Sequence, residues 1–200
     1  MEQVHRYFIL NKPVNMVSQF ISSHDVGLIG QLDFDFPPGT HAIGRLDINS
    51  EGLLLLTTNK KVTRLLFLGE KKHKREYLVQ VNNDISEGKL EKLRTGVSIR
   101  IKGGINYTTP PCEVELVENP EKIYALAHSP AEFGKHSWLL ITLTEGKFRQ
   151  VRKMMAAIHH RCKRLIRISI EDMKLDDLQP GKVRETDEIS FFEKLHIDYK

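Results

Sequence analysis

The most constraining feature of the sequence is a run of four consecutive leucines, Leu53 to Leu56, placed shortly after a charged triplet. A short apolar run of this length, bounded by polar residues, predicts a strand that is buried on both faces. The triplet Arg45-Leu46-Asp47 lies a few residues upstream. A charge so close to a core strand is either a satisfied structural pair or a functional group held by a rigid scaffold. The pattern alone leaves both interpretations open.

The rest of the chain alternates in ways that predict many short strands and a few helices. Strands are predicted at residues 7–10, 16–20, 53–57, 77–81, 97–101, 112–117, 123–127, 138–143, 165–170 and 188–192. Helices are predicted at residues 59–68, from Ser86 to near Gly96, and after Gly146, where Val151, Met154, Met155 and Ile158 share one face. Residues 21–41 are expected to form a loop with one helical turn. The sum predicts an α+β fold in which helices pack against a mixed sheet.

The composition suits one globular domain, or one domain of two lobes. The 200 residues are 40% hydrophobic and 28% charged, which provides for a sizeable core. The sequence contains no apolar stretch long enough to cross a bilayer, and its start lacks the layout of a signal peptide. Cys112 and Cys162 stand far apart without metal-ligand spacing, as is typical of free thiols in a reducing compartment. A cytoplasmic location without membrane contact is therefore expected.

Basic residues are concentrated in two segments. Between Lys147 and Arg167 the chain has eight Lys or Arg and no Asp or Glu, and a second cluster runs from Lys71 to Arg75. Any one charged run is most often a solvated face. Two basic clusters followed by an acidic segment instead indicate one polarised face, which is typical of proteins that bind a phosphate backbone. Nucleic acid, and RNA in particular, is the predicted partner.

Few residues stand out for chemistry. The sequence has no GxxxxGK[ST] phosphate loop, no GxGxxG after a strand and no HExxH motif, so no nucleotide cofactor or metal site is predicted. Asp47 is either a turn residue paired to an arginine or a carboxylate that acts as nucleophile or base. Tyr77 is either an inward-facing strand aromatic or a site residue. Arg152, at the margin of the apolar helix face, is either a solvated helix residue or a group that turns into a cleft. These alternatives stay open at the level of pattern.

The segment that contains the triplet, GRLDINSEGLLLLTTN, resembles the central motif of the pseudouridine synthases, in the branch named for RsuA. Four more blocks resemble that branch in the same order, namely NKPVNMVSQF, KREYLVQV, LLITLTEGKFRQVRKMMAAI and LIRISIEDMKLDDLQPGKVRE. The resemblance extends from Phe8 to about residue 188. Within the branch, the sequence most resembles the RluE type, which modifies large-subunit ribosomal RNA. It departs from the usual pattern at Met16, Asn49 and Lys60.

The resemblance implies an enzyme that isomerises one uridine of ribosomal RNA, 23S in particular, to pseudouridine by flipping the base, without cofactor or metal. It implies that Asp47 is the nucleophile, attacking C1′ of the sugar or C6 of the base. Tyr77 would stack on the flipped base and is a candidate to take the C5 proton. Arg152 would pair with the nucleophile and favour its ionised form. The RNA contacts implied are Lys12, Arg45, Arg75, Lys147, Arg149, Gln150 and Lys153.

The resemblance also implies a domain organisation. Residues 1–200 are expected to form a single catalytic domain with two lobes, a catalytic cleft across the sheet and no N-terminal S4 RNA-binding domain. The enzyme is expected to be a monomer. Two alternatives remain, namely the same reaction on another RNA and a catalytically silent RNA-binding module of this fold.

Overall fold

The computed structural model describes residues 4–67, 69, 71–127 and 134–198. Its strands are β1 (Tyr7–Lys12), β2 (His41–Ile43), β3 (Glu51–Thr57), β4 (Arg75–Asn82), β5 (Ser98–Arg100), β6 (Asn106–Thr108), β7 (Glu113–Val117), β8 (His136–Leu143), β9 (Cys162–Ile170), β10 (Met173–Lys174) and β11 (Val183–Thr186). Its α-helices are α1 (Val62–Phe67), α2 (Glu87–Thr95), α3 (Gln150–Ala157) and α4 (Glu188–Lys194). Short 3₁₀ turns occur at Ile29–Gln31, Lys102–Gly104 and Pro120–Lys122.

The chain divides into two compact units. The first unit comprises Met1–His73 and Ile166–Lys200, and the second unit comprises Lys74–Leu165. Strand β9 carries the chain from the second unit back into the first.

The first unit is built around the leucine strand β3. This strand pairs antiparallel with β1 and parallel with β9, and β11 lies on the other side of β1. All four leucines, Leu53 to Leu56, are fully buried, which confirms the prediction of a strand covered on both faces. Leu54 and Leu56 pack in one core cluster with Phe8, Leu10 and Leu46. The core therefore includes the residue directly before Asp47.

The second unit is an antiparallel sheet with α3 packed on it. Strand β8 pairs along its whole length with β4 on one side, and its central residues pair with β7 on the other. The predicted apolar face of α3 is confirmed, because Val151, Met154, Met155 and Ile158 are buried in one cluster with Val79 of β4. The helix predicted from Ser86 is α2, and it ends at Gly96, whose φ of 112° suits glycine. A mixed, mostly antiparallel sheet with packed helices is thus confirmed.

Three predicted strands are wrong. Residues 16–20 make only a single bridge, Met16 to Gly27, because the preceding turn at Asn15 (φ 63°) breaks the strand. Residues 123–127 continue the 3₁₀ turn, since Tyr124 N donates to Pro120 O rather than to a neighbouring strand. Residues 188–192 form helix α4, which Asp187 caps by accepting a hydrogen bond from Ser190 N at 2.9 Å.

Other predictions were nearer the structure. The helical turn expected within residues 21–41 is the 3₁₀ turn Ile29–Gln31. The helix predicted at 59–68 is α1, and Asn59 precedes it with its side-chain Oδ1 accepting from Lys61 N at 3.1 Å. The predicted last residue of that helix, Leu68, lies outside the described residues. Strands β2, β6, β10 and β11 had no counterpart among the predictions.

Candidate active site

Asp47 lies in a short loop whose backbone is fixed on both sides. The residue before it, Leu46, is buried in the core, and its backbone N donates to Ser18 Oγ at 2.9 Å. Ser18 Oγ in turn donates to Leu46 O at 3.0 Å. After Asp47, a turn is closed by Ser50 N donating to Asp47 O at 3.0 Å, and β3 begins at the next residue. The half-buried Asp47 is therefore held by a rigid frame, as a preformed reactive group must be.

The start of β3 is held to β9 by a close backbone approach at Gly52. This residue has a φ of 98°, and a Cβ built on it would lie against Arg167 O and 2.8 Å from Arg167 N. Only glycine fits such an approach without a backbone shift. The guanidinium of the buried Arg167 makes a second contact between β9 and β3, because its Nε donates to Leu53 O at 2.8 Å. The strand that follows the Asp47 loop thus has a fixed position in the first unit.

Lys12 places a buried cation near the same loop. Its Nζ donates to Pro13 O at 2.8 Å and to Met16 O at 2.7 Å. Burial lowers the pKa of Lys12 to about 8, while the carboxylates of Glu51 and Asp47 act in the opposite direction and raise it. Asp47 is therefore within electrostatic range of a buried ammonium group in its own unit.

Tyr77 lies on β4 opposite Ile141 of β8. Its side chain is only half-buried, and it packs on the core cluster that contains Val79 and Val81. Both interpretations of Tyr77 therefore stay predictions. One part of the ring contributes to the core, and the other part is accessible to a ligand.

Arg152 lies on α3, and its side chain contacts Cys162, the first residue of β9. Its Nη1 donates to Cys162 O at 3.3 Å. Burial raises the pKa of the Cys162 thiol to about 11, and the positive charges of Arg152 and Arg149 oppose that shift. Both guanidinium groups are thus near Cys162, and the thiol is protonated at neutral pH. Cys162 is a structural residue rather than a nucleophile.

The turn between β8 and α3 is fixed by Gln150 and Glu145. Gln150 Oε1 accepts from Lys147 N at 2.8 Å, and Gln150 Nε2 donates to Glu145 Oε1 at 2.6 Å. Glu145 Oε2 accepts from the hydroxyl of Tyr107 at 2.6 Å, which raises the pKa of that tyrosine. At the end of the turn, Arg149 adopts a left-handed φ of 53°. A non-glycine residue in this region is strained, a feature often found at functional sites.

The predicted RNA contacts differ in exposure. Arg45 and Lys147 are exposed, and Arg149 and Lys153 are half-buried, so these four can meet a phosphate. Lys12, Arg75 and Gln150, whose contact with RNA stays a prediction, are buried. For Lys12 and Gln150 the reason is visible, because their polar atoms are engaged by the bonds described above. Among the candidates, Asp47, Arg45 and Lys12 belong to the first unit, and the others belong to the second.

Sequence reasoning missed Ser18 and Glu145, the two residues that fix the loops around the candidates. Both lie inside motifs that resemble the family, but only the fold reveals their hydrogen bonds. Across the described part of the chain, no group of three or more His, Cys, Asp or Glu is arranged to hold a metal ion. In the same ranges, no helix has the length and apolar character needed to cross a membrane.

Comparison with known proteins identifies the class of protein that this scaffold represents. The sequence model of a family described as RNA pseudouridylate synthase matches residues 6–157, which is most of the chain. A crystal structure described as a pseudouridylate synthase superposes with a TM-score of 0.77 at 28% identity, covering 98% of this chain and 75% of that one. The chain belongs to the RNA pseudouridine synthase family.

Two relatives narrow the resemblance within that family. The ribosomal large subunit pseudouridine synthase E of Vibrio vulnificus is 37% identical over 183 residues, covering 90% of this chain and 74% of the relative. The protein of the same name from Xanthomonas axonopodis pv. citri is 34% identical over 175 residues, covering 86% and 89%. The resemblance to the RluE type that the motifs predicted is thereby confirmed.

Proposed function

We propose that this pseudouridine synthase isomerises a uridine of large-subunit ribosomal RNA. The observation that carries the proposal is the similarity, along most of both chains, to relatives named as large-subunit enzymes. The exposed and half-buried cations Arg45, Lys147, Arg149 and Lys153 support an RNA partner, because phosphate contacts supply most of the affinity for nucleic acid.

In the proposed mechanism, Asp47 is the nucleophile. Its carboxylate attacks the sugar C1′ or the base C6 of a uridine that has been flipped out of the RNA, at a cost of a few kcal/mol of unstacking. The bond from N1 to C1′ breaks, the uracil turns, and C5 forms the new bond to C1′. The bond between Asp47 and the substrate breaks in the course of these steps, which releases the free carboxylate. The C5 proton leaves and N1 gains a proton, so the product is an isomer of the substrate. The rigid loop around Asp47 supports this role, since it holds the carboxylate before the substrate arrives.

Tyr77 and Arg152 have supporting roles in the proposal. Tyr77 stacks on the flipped uracil with the accessible part of its ring and assists removal of the C5 proton. Arg152 supplies a permanent positive charge that favours the ionised form of the nucleophile. Neither step requires a metal or cofactor, and we propose that the enzyme acts as a monomer in the cytoplasm.

The test is tritium release from large-subunit ribosomal RNA labelled at uracil C5, followed by mapping of the modified position. Wild type is expected to release tritium from one site, even after a chelator has removed metal ions. Asp47→Asn is expected to release none. Asp177→Asn is the matched control, since Asp177 is exposed and its carboxylate has no assigned role. Release from Asp47→Asn at the wild-type rate would remove Asp47 from the nucleophile role. Release only from other RNAs would reject the large-subunit substrate, and binding without release would indicate a silent module.

A further inference from the structure

Phe148 is an exposed aromatic residue with a lysine over its ring. It lies in the turn between β8 and α3 with 71% of its surface accessible. Its sequence neighbours are Lys147 and Arg149, and the Nζ of Lys153 lies 5.4 Å from the centroid of its ring. A single exposed apolar side chain is ordinary on a protein surface. An exposed ring with one cation over it and two cations beside it in sequence has a different character, because aromatic faces and positive charge together bind single-stranded RNA.

The backbone that presents this ring is already ordered. Gln150 N donates to Lys147 O at 3.0 Å, so the turn around Phe148 is closed by a backbone bond. The side chain of Gln150 closes it a second time, through its bonds to Lys147 N and to Glu145. A ligand that stacks on the ring therefore does not have to order a flexible loop, and less of its binding energy is lost to entropy.

We propose that Phe148 is a stacking platform for an unpaired nucleobase of the RNA substrate, with Lys147, Arg149 and Lys153 holding the adjacent phosphates. The proposal rests on the RNA partner of the proposed function and adds a base-binding position that the catalytic residues do not supply. Every nucleobase has a π-face, so this contact is expected to favour unpaired RNA without strong preference for sequence. The Nζ of Lys153 stays over one part of the Phe148 ring, and the base stacks on the exposed part.

The experiment compares two single-stranded ligands of about 15 nucleotides, a length that covers common site sizes for such surfaces. One is labelled oligouridine, and the other is an abasic ribose-phosphate chain of the same length. Phe148→Ala is expected to bind oligouridine about 5- to 150-fold more weakly than wild type, the equivalent of roughly 1–3 kcal/mol for one stacked base. It is expected to bind the abasic chain as wild type does. Phe148→Trp is expected to retain wild-type affinity for both.

The salt dependence separates stacking from charge. Phe148→Ala is expected to keep the slope of log K against log salt, whereas Lys153→Gln lowers it, because only the lysine contacts phosphate. Ile189→Ala, at a position with 58% exposure on α4, is the control for loss of an exposed apolar side chain. Equal affinity of Phe148→Ala and wild type for oligouridine would overturn the proposal, and so would an equal loss on both ligands. The first result is also what a protein-docking role for Phe148 predicts.

These binding results are independent of turnover. If wild type releases no tritium from large-subunit RNA but Phe148→Ala loses affinity for oligouridine alone, the proposed function fails and the stacking platform stands. If wild type is active and Phe148→Ala binds both ligands normally, the platform fails and the proposed function stands.

Discussion

Ser18 and Leu46, 28 residues apart in sequence, are joined by two hydrogen bonds through a single hydroxyl. Leu46 N donates to Ser18 Oγ at 2.9 Å, and Ser18 Oγ donates to Leu46 O at 3.0 Å. Both residues are buried, so water does not compete for these bonds. Because Leu46 directly precedes Asp47, this hydroxyl fixes the backbone from which the proposed nucleophile projects.

Ser18→Ala is therefore expected to reduce turnover as well as stability. The change leaves two buried backbone groups without their partner, which costs about 1–3 kcal/mol of unfolding free energy. Misplacement of a reactive group by about 1 Å lowers a rate by as much as about 100-fold, so a fall of tenfold or more is expected. Urea unfolding and single-turnover tritium release measure the two effects.

Thr109→Val is the matched control for Ser18→Ala. The Thr109 hydroxyl is also buried, and it accepts a hydrogen bond from Val97 N at 3.0 Å. A comparable loss of stability with normal turnover is expected, because Thr109 supports a different part of the chain. If Ser18→Ala loses stability and keeps its turnover, the Asp47 loop does not depend on Ser18.

A second prediction concerns Lys12 and pH. Burial lowers the pKa of Lys12 in the folded state to about 8 from an ordinary value of 10.5. Between these values the unfolded chain binds more protons than the folded chain, so raising the pH through this window stabilises the folded state. The unfolding free energy of wild type minus that of Lys12→Met is expected to rise from pH 8 to pH 10.5 and to be constant below.

Urea unfolding of both proteins across that range provides the measurement. Groups that titrate alike in the two proteins cancel in the difference. The two carbonyls that Lys12 bonds lose a donor in the variant, which shifts the difference by the same amount at every pH. A flat difference from pH 8 to pH 10.5 would mean that Lys12 keeps an ordinary pKa in the folded protein.

A third prediction concerns the basic surface of α3. Replacing Arg149 and Lys153 with Gln is expected to weaken binding of single-stranded RNA and to flatten its dependence on salt. Each lost phosphate contact lowers the slope of log K against log salt by roughly 0.7. Binding isotherms at several salt concentrations give the slope for both proteins.

The control pair is Lys92 and Lys122, which are exposed in the same unit and carry no predicted RNA contact. Replacing both with Gln removes the same net charge from the protein, and the slope is expected to change less. Weaker binding by the Arg149 and Lys153 variant at an unchanged slope would mean that these side chains do not contact phosphates.

The strongest patterns in the sequence correctly predicted two elements of the fold. The leucine run became β3, and the apolar face of α3 entered the core as its spacing indicated. Helix α4 was assigned to a strand because its short run, with Phe191 and Phe192 adjacent, has no clear period. In the structure both rings pack on Tyr7, with centroid distances of 4.6 and 5.6 Å, and that long-range contact together with the Asp187 cap favours a helix.

The sequence predicted the residues of the candidate site only in part. The motif residues Asp47, Tyr77 and Arg152 stood out through the family resemblance, and their roles remain predictions. The burial of Lys12 was not predictable, because a lysine near the end of a strand normally faces solvent. Its interior position depends on two carbonyl partners, Pro13 O and Met16 O, which the local turn brings to it.

The last prediction separates catalysis by Tyr77 from packing. Since Tyr77 is half-buried against the core, Tyr77→Ala is expected to cost less than the roughly 3–5 kcal/mol of a fully buried aromatic. Tyr77→Phe keeps the ring and removes only the hydroxyl. It is expected to fold normally and to bind RNA about as well as wild type, because base stacking survives the change.

Turnover of Tyr77→Phe is nevertheless expected to fall by about 10²–10⁴-fold if the hydroxyl helps to move the C5 proton, the usual contribution of a general acid or base. Single-turnover tritium release beside a binding isotherm distinguishes the steps. Tyr124→Phe is the control, since Tyr124 is a buried tyrosine of the same unit and no catalytic role is assigned to it. Normal release by Tyr77→Phe would confine Tyr77 to stacking or structure. Lost release with intact binding would make its hydroxyl part of the chemistry, because neither the core nor the base contact requires it.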